Sequence, residues 1–240
     1  MITCILSGTM LLCAIIGIAG GALMHRGQRC SGVNVVLLDS AVNHFLNADD
    51  VRRIVRSEIG GCTNKYISDI NLHQVESILS RNGSLNSHEA YFTPDGMLNI
   101  EVSQKTPVVK FICEGKVYYA DIEGNCFNVG KDWATELLTV KGHPMISDSK
   151  WLRQAAGSIR WLDGKKNLSE RITSISSDKN GKLSIRLEGR SETFHLGSPV
   201  DMAGKFYRIR RYEEDIVPMI AEEKTYSEVN VEYKGQIICK

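Results

Sequence analysis

Neither sign of charge dominates this sequence: Lys and Arg number 29 against 28 Asp and Glu, for a formal net charge of +1. That balance, with no interleaving of aromatic and basic residues, leaves no electrostatic footprint for DNA or RNA, so no nucleic-acid partner is expected. The short motifs that carry chemistry are missing as well. There is no P-loop, no G-x-S-x-G, no H-E-x-x-H and no Gly-rich dinucleotide fingerprint. The six histidines (His25, His44, His73, His88, His143 and His195) are scattered without metal-ligand spacing. Asp49–Asp50 and Glu213–Glu214–Asp215 are the acidic neighbours, and both sit at expected helix positions where dipole effects or solvation explain them. The expectation is a non-enzymatic protein with no catalytic residue, cofactor, metal or small-molecule substrate. Cysteine is present but unpatterned: none of the seven forms a C-x-x-C pair. Five of them (Cys30, Cys62, Cys113, Cys126 and Cys239) lie beyond the first apolar stretch, and an odd number cannot all pair within one chain. Buried or free thiols are expected, and a pairing such as Cys113 with Cys126 stays open.

Hydrophobic residues make up 42% of the 240 positions and charged residues 24%, an ordinary globular balance. The length allows an anchor plus one or two small domains. From Ile2 to Met24 no side chain is charged. As a helix rising ~1.5 Å per residue this run spans roughly 34 Å, enough to cross a hydrocarbon core of ~30 Å. Lipid offers the backbone no hydrogen bonds, so residues 1–25 are expected to form one transmembrane helix. Gly17, Gly20 and Gly21 in its second half read as packing-neutral. A cleaved signal peptide fits less well, because no Lys or Arg precedes the run and its apolar stretch is long. Arg26 and Arg29 follow the helix, and on charge alone they would hold the bulk of the chain on the cytoplasmic side.

Residues 32–106 read as a first domain. Val33, Val35 and Leu37 alternate as in a half-buried strand. Asn47 offers an N-cap, Asp49 and Asp50 occupy the first helical turn, and Val51, Ile54, Val55 and Ile59 form one apolar face that ends at Gly60–Gly61. A second helix starts at Asn71, with Gln74 at capping-box spacing and Leu72, Val75, Ile78 and Leu79 on one face. Strands follow around Ala90–Phe92 and at Leu98, Ile100 and Val102, joined by a Pro94–Asp95–Gly96 turn. The order β-α-α-β-β resembles the POTRA domain, a small module with which bacterial envelope proteins bind other polypeptides.

Residues 107–240 read as a C-terminal, mostly antiparallel β domain with one or two helices, making the chain α+β overall. Val109–Cys113 and Val117–Asp121 flank a Gly115–Lys116 turn, and a strand around Leu137–Val140 precedes Gly142. Trp151, Leu152, Ala155, Ile159 and Leu162 mark an amphipathic helix. Ile172–Ile175 and Leu183–Leu187 form a hairpin turning at Asp178–Gly181. Phe194 and Leu196, a helix from Asp201 to Ile216, and alternating Val229, Val231 and Tyr233 complete it, with Gly235–Gln236–Ile237–Ile238–Cys239 at the end.

Taken in order, several stretches resemble the bacterial cell-division family FtsQ/DivIB. Val102–Ser103–Gln104–Lys105–Thr106–Pro107 is similar to its Val-x-Gln-Arg/Lys-x-Pro segment, and Tyr118–Tyr119–Ala120–Asp121 with Gly124 to its Tyr-Tyr-x-Asp-x-x-Gly hairpin. Leu137–Leu138–Thr139–Val140–Lys141–Gly142 is similar to its Leu-Pro-x-Val-x-Gly, with Leu138 in place of the proline. Leu196–Gly197, Lys205–Phe206 and Val229–Asn230–Val231–Glu232–Tyr233–Lys234–Gly235–Gln236 fit its closing segments.

The resemblance implies a single-pass protein of the bacterial cytoplasmic (inner) membrane with extracytoplasmic, periplasmic soluble domains. It implies a scaffold of the divisome that holds partners of the FtsB and FtsL type and regulates septal cell-wall synthesis. It also implies that a partner adds a strand near the C-terminus, at Tyr226, Val229, Asn230, Val231 and Tyr233, through the backbone edge rather than the inward valines. On that reading, proline at Val231 abolishes capture by removing a ladder donor. Glu222, Glu223 and Lys224 read as a solvated charge run. Two alternatives remain: a POTRA-containing secretion or assembly adaptor, and, more remotely, a membrane-anchored extracytoplasmic enzyme. The roughly 130 residues after the POTRA-like part are few for the long barrel that usually follows in the former.

Overall fold

A computed structural model describes residues 27–40, 45–129, 136–220 and 226–240. The expected transmembrane helix, His25, His44 and the charges Glu222, Glu223 and Lys224 lie outside the described residues. No helix among the described residues is long and apolar enough to cross a membrane. The chain divides into two compact units that meet in sequence at Lys105 and Thr106.

The first unit runs β1 (Gly32–Leu37), α1 (Ala48–Ile59), α2 (Leu72–Ser80), β2 (Leu85–Phe92) and β3 (Met97–Gln104). Its sheet order is β1-β3-β2, with β1 parallel and β2 antiparallel to the central β3. Local chemistry sets the helix ends. The Asn47 side chain accepts from the Asp50 backbone N–H at 2.9 Å, and the Asp50 carboxylate accepts from the Asn47 N–H at 3.1 Å. This reciprocal box satisfies two donors that a helix start otherwise leaves orphaned. Gly60, at φ 71, caps the far end. At Asn71 only half of the box forms, its side chain accepting from the Gln74 N–H at 3.2 Å.

Alternation along β3 then separates core from surface. Leu98, Ile100 and Val102 are fully buried with Val51 and Val55 of α1 and Val75 and Leu79 of α2. The intervening residues make polar cross-strand pairs: Asn99 with Asn34 at 2.9 Å, Glu101 with Tyr91 at 2.7 Å and Ser103 with Ser87 at 2.6 Å. The Pro94–Gly96 turn needs its glycine: Gly96 sits at φ 83, and a Cβ there would lie 2.8 Å from the Arg29 carbonyl oxygen.

The described residues of the second unit form one nine-stranded sheet. Its strands are β4 (Val109–Cys113), β5 (Lys116–Ala120), β6 (Cys126–Phe127), β7 (Thr139–Gly142), β8 (Ile172–Ser177), β9 (Leu183–Leu187), β10 (Thr193–Gly197), β11 (Glu228–Asn230) and β12 (Ile238–Cys239). They lie in the order β12-β11-β10-β9-β8-β7-β4-β5-β6. The sheet is mostly antiparallel, as expected, in five of its eight neighbouring pairs, and mixed because β4–β7, β7–β8 and β10–β11 are parallel. Parallel neighbours need a long connection. Two of these connections are helical: α3 (Ser149–Asp163) joins β7 to β8, and α4 (Met202–Arg211) leaves β10 on the way to β11. After α4 the backbone widens into a π turn at Tyr212–Ile216, followed by a 3-10 turn carrying Pro218.

One apolar rung crosses this sheet. Phe111 pairs with Val140, Val140 with Ile175, Ile175 with Ile185, Ile185 with Phe194, and Phe194 with Val229. All six are buried, in one core with Trp151, Leu152 and Ile159 of α3 and Phe206 and Ile209 of α4. The rung ends at Cys239, opposite Val229 on the outermost strand.

No two of the five described cysteines are bonded to each other in this structure. The backbone register keeps Cys113 and Cys126 apart. Cys126 pairs with Ala120, which pairs with Val109, whereas Cys113 stands four residues further along β4 at the hairpin tip. At ~3.3 Å per residue that is roughly 13 Å along the strand, well beyond the ~7 Å that a disulfide spans between Cα atoms.

Candidate functional site

The five residues expected at the contact edge do not form one exposed face. Val229 and Val231 are completely buried. Val229 sits in register with Phe194, and the Val231 N–H donates to the His195 carbonyl at 3.0 Å, so both belong to the β10–β11 ladder. Tyr226 packs partly against the same core. Asn230 pairs with His195 on one side and Ile238 on the other, and its side chain accepts from the Glu232 N–H at 2.9 Å. Only Tyr233, 49% exposed, stands out into solvent.

The strand expected at the edge is thus covered by the chain's own C-terminus. Gly235 adopts φ 75 in a turn in which the Gln236 N–H donates to the Tyr233 carbonyl. That turn sends the chain back along β11 as β12. The signal was in the sequence: a glycine turn between two β-prone runs is a hairpin signature.

Pairing rules then say what the new edge offers. Lys240 and Glu228 exchange both backbone hydrogen bonds, at 2.9 and 3.1 Å. In an antiparallel ladder such pairs alternate with non-hydrogen-bonded ones. The Val229–Cys239 pair is therefore non-hydrogen-bonded, and the Cys239 N–H and C=O point away from β11. Among the described residues no further strand lies beyond β12. Side chains alternate accordingly: Ile237 and Cys239 pack on the core, and Ile238 is 41% exposed.

A buried polar network backs this edge. Glu192, 6% exposed, accepts from the Tyr212 hydroxyl and from Arg190, each at 2.7 Å. Burial and then the bond to Glu192 push the Tyr212 phenol well above its ordinary value. Burial, followed by the Glu192 charge, raises the Cys239 thiol, which keeps it neutral at physiological pH. Further along, the buried Arg208 Nε donates to the Val231 carbonyl at 2.8 Å, and Lys182 pairs with Glu232 at 3.0 Å. These bonds hold the end of β11 from two sides. Glu192 and Arg208 are distant in sequence from Tyr212 and Val231, the residues they bond, and no local pattern marks them.

The acidic neighbours are taken up structurally. Asp49 and Asp50 pair with Arg52 and Arg53 at the start of α1, and Glu213, Glu214 and Asp215 pair with Arg171, Arg210 and Arg211. A cleft of about 340 Å³ lies between Trp161, Leu187, Phe206 and Tyr207, and its carboxylate, Glu213, is held by Arg171. The described histidines fall on separate elements, His73 on α2, His88 on β2, His143 after β7 and His195 on β10. No group of three or more potential metal ligands occurs among the described residues.

Comparison with known families follows the same division of the chain. A POTRA-like domain model matches residues 28–103, and the model "FtsQ/DivIB, C-terminal related" matches residues 106–240. The chain belongs to the FtsQ/DivIB-related family. No curated protein matched it. In this FtsQ/DivIB-related chain the POTRA-like unit is β1–β3 with its two helices, and the family's C-terminal region is the mixed sheet whose last strand is β12.

Proposed function

We propose that this protein is a non-enzymatic scaffold of the bacterial division machinery that captures small membrane partners of the FtsB and FtsL type by strand addition at β12. In this reading residues 1–25 are a single-pass anchor in the cytoplasmic membrane. Residues 32–106 are the POTRA domain, and 107–240 the C-terminal domain, both outside the cytoplasm. The observation that carries the proposal is the family's C-terminal region, preceded by a POTRA-like domain and covering more than half of the chain. The uncharged run from Ile2 to Met24 supports the anchor.

The site's chemistry agrees with a peptide partner. The Cys239 N–H and C=O face outward at the end of the apolar rung that begins at Phe111. A strand added there extends the ladder by main-chain bonds and sets an apolar side chain beside Cys239, continuing the rung. The expected contact at Tyr226–Tyr233 thereby moves to Ile238–Cys239, with Tyr233 beside the turn between them. Loss of the whole segment from Tyr226 onward would remove buried Val229 and Val231, so point changes test the site better.

The test is co-purification from detergent-solubilised membranes, comparing the full chain with Cys239→Pro and Ile238→Glu. Division proteins recovered with the parent chain and lost with either folded variant support the reading. Equal recovery with both variants refutes the β12 edge. Recovery of secretion or envelope-assembly proteins instead favours the POTRA adaptor.

A further inference from the structure

We propose that Cys30 and Cys62 are a disulfide pair, a covalent staple between the entry to the first unit and the connection between its two helices. Both cysteines are buried, 1% and 4% exposed, in the same apolar core. The backbone brings them together by two short steps. The Cys30 N–H donates to the Lys65 carbonyl and its C=O accepts from the Asn64 N–H, each at 2.8 Å. The Lys65 N–H in turn donates to the Cys62 carbonyl at 3.1 Å, a turn that folds Cys62 back toward the strand holding Cys30. An Arg29–Tyr66 bridge fixes the register, and Arg29 stacks 4.3 Å over the Tyr66 ring.

Cys62 also senses its neighbour. Burial raises the Cys62 pKa first, the Cys30 charge adds to it, and Lys65 opposes it. At Cys113, Cys126 and Cys239 the strand register gives no such pairing, so on this proposal the five described cysteines resolve into one pair and three single thiols.

Cys62 is the reachable member. It lines an open cleft of about 480 Å³ with Arg52, Arg56 and Thr63. The chemistry is thiol–disulfide exchange with a small disulfide, R–S–S–R. The Cys62 thiolate attacks one sulfur and expels RS⁻; the Cys30 thiolate then attacks the Cys62 sulfur and expels the second. The two cysteines lose two protons and two electrons, and the donor leaves as two thiols. Because burial keeps Cys62 protonated near neutral pH, closure is slow in the folded unit and fast while the chain folds. Formation in the cell rests on the extracytoplasmic placement proposed above, since disulfides persist in oxidising compartments. The pairing geometry does not.

The experiment treats the full chain in detergent with oxidised glutathione, blocks remaining thiols, and identifies tryptic peptides by mass spectrometry. Trypsin cuts after Arg29, Arg52, Arg56 and Lys65. The expected product is the peptide Cys30–Arg52 joined to Ser57–Lys65, two hydrogens lighter than the separate pair and split by dithiothreitol. Cys30→Ser and Cys62→Ser each abolish it, whereas Cys113→Ser, Cys126→Ser and Cys239→Ser leave it intact. Cys30 and Cys62 both still alkylated after oxidation, or bonded instead to other cysteines, overturns the proposal. A second arm alkylates intact cells before extraction. A bond already present there supports both the pair and the placement. A bond that closes with glutathione in a chain that arrives reduced supports the pair and overturns the placement.

Discussion

Two proline substitutions eight residues apart should separate folding from capture. Val231→Pro deletes an N–H that donates to the His195 carbonyl inside the β10–β11 ladder, at a position with no exposed surface. The lost bond costs about 1 kcal/mol net, more if the His195 carbonyl finds no water. Disturbing a fully packed valine adds about 1–3 kcal/mol. A total of about 2–4 kcal/mol is a large share of an ordinary domain stability of about 5–15 kcal/mol. It lowers Tm by roughly 7–15 °C for a unit of this size. Cys239→Pro deletes an N–H that faces solvent, on an edge strand where proline is tolerated. Its stability cost stays within about 1 kcal/mol. A partner strand, however, loses a main-chain bond and meets the ring, so capture falls at least about tenfold, or ~1.4 kcal/mol. The assay is urea unfolding followed by tryptophan fluorescence, since Trp151 and Trp161 lie on α3 in the second unit, run beside co-purification. A Val231→Pro chain as stable as the parent, or a Cys239→Pro chain that unfolds, refutes the strand order on which the reasoning stands.

Two further outcomes test the packing. Gly142→Ala places a Cβ 2.5 Å from the Ser177 carbonyl oxygen at φ 103, so β7 and β8 must separate. A loss of about 2–4 kcal/mol is expected, read as a lower urea midpoint at unchanged slope. Stability should also fall above pH 9. Cys239 and Tyr212 have folded pKa values raised above 9.0 and 10.0, so their contribution is complete below those values and is lost as pH rises toward the folded ones, and in the reduced chain the Cys62 thiol, raised above 9.0, adds to the same loss. Lys205, lowered from 10.5 by burial, acts in the opposite direction up to that pH. Tyr212→Phe should therefore show a shallower alkaline loss above pH 10, measured by thermal melts across pH.

Much of the fold was legible because its signals are local. Asn47 with Asp50 announces a capped helix, Pro94–Gly96 a turn, and Asp178–Gly181 a hairpin, and each forms where the pattern lies. Leu98, Ile100 and Val102 give the buried face of β3 by simple alternation. Strand order was not legible. Nothing in residues 32–37 states that they run parallel to 97–102, nor that β7 inserts between β4 and β8. Such choices depend on how crossovers close around a shared core, a sum over distant contacts. The place of β11 inside the sheet was not legible for a related reason. Val229, Val231 and Tyr233 alternate like an edge strand, and only the short fold-back at Gly235 turns them into an interior one. The bond from Tyr212 to Glu192 was not legible either, because its two ends lie 20 residues apart, on opposite sides of β10 and α4.

The parallel pairing of β1 with β3 bears on mechanical load. The chain enters the first unit at the start of β1 and leaves it from the end of β3. Tension between the anchor proposed for residues 1–25 and the second unit therefore pulls the two strands in opposite directions along their length. All the rungs from Gly32–Met97 to Leu37–Val102 then bear the force together, in shear, instead of parting one after another like a zipper. A protein tethered at one end and gripped by partners at the other would resist stretching at its very first strand.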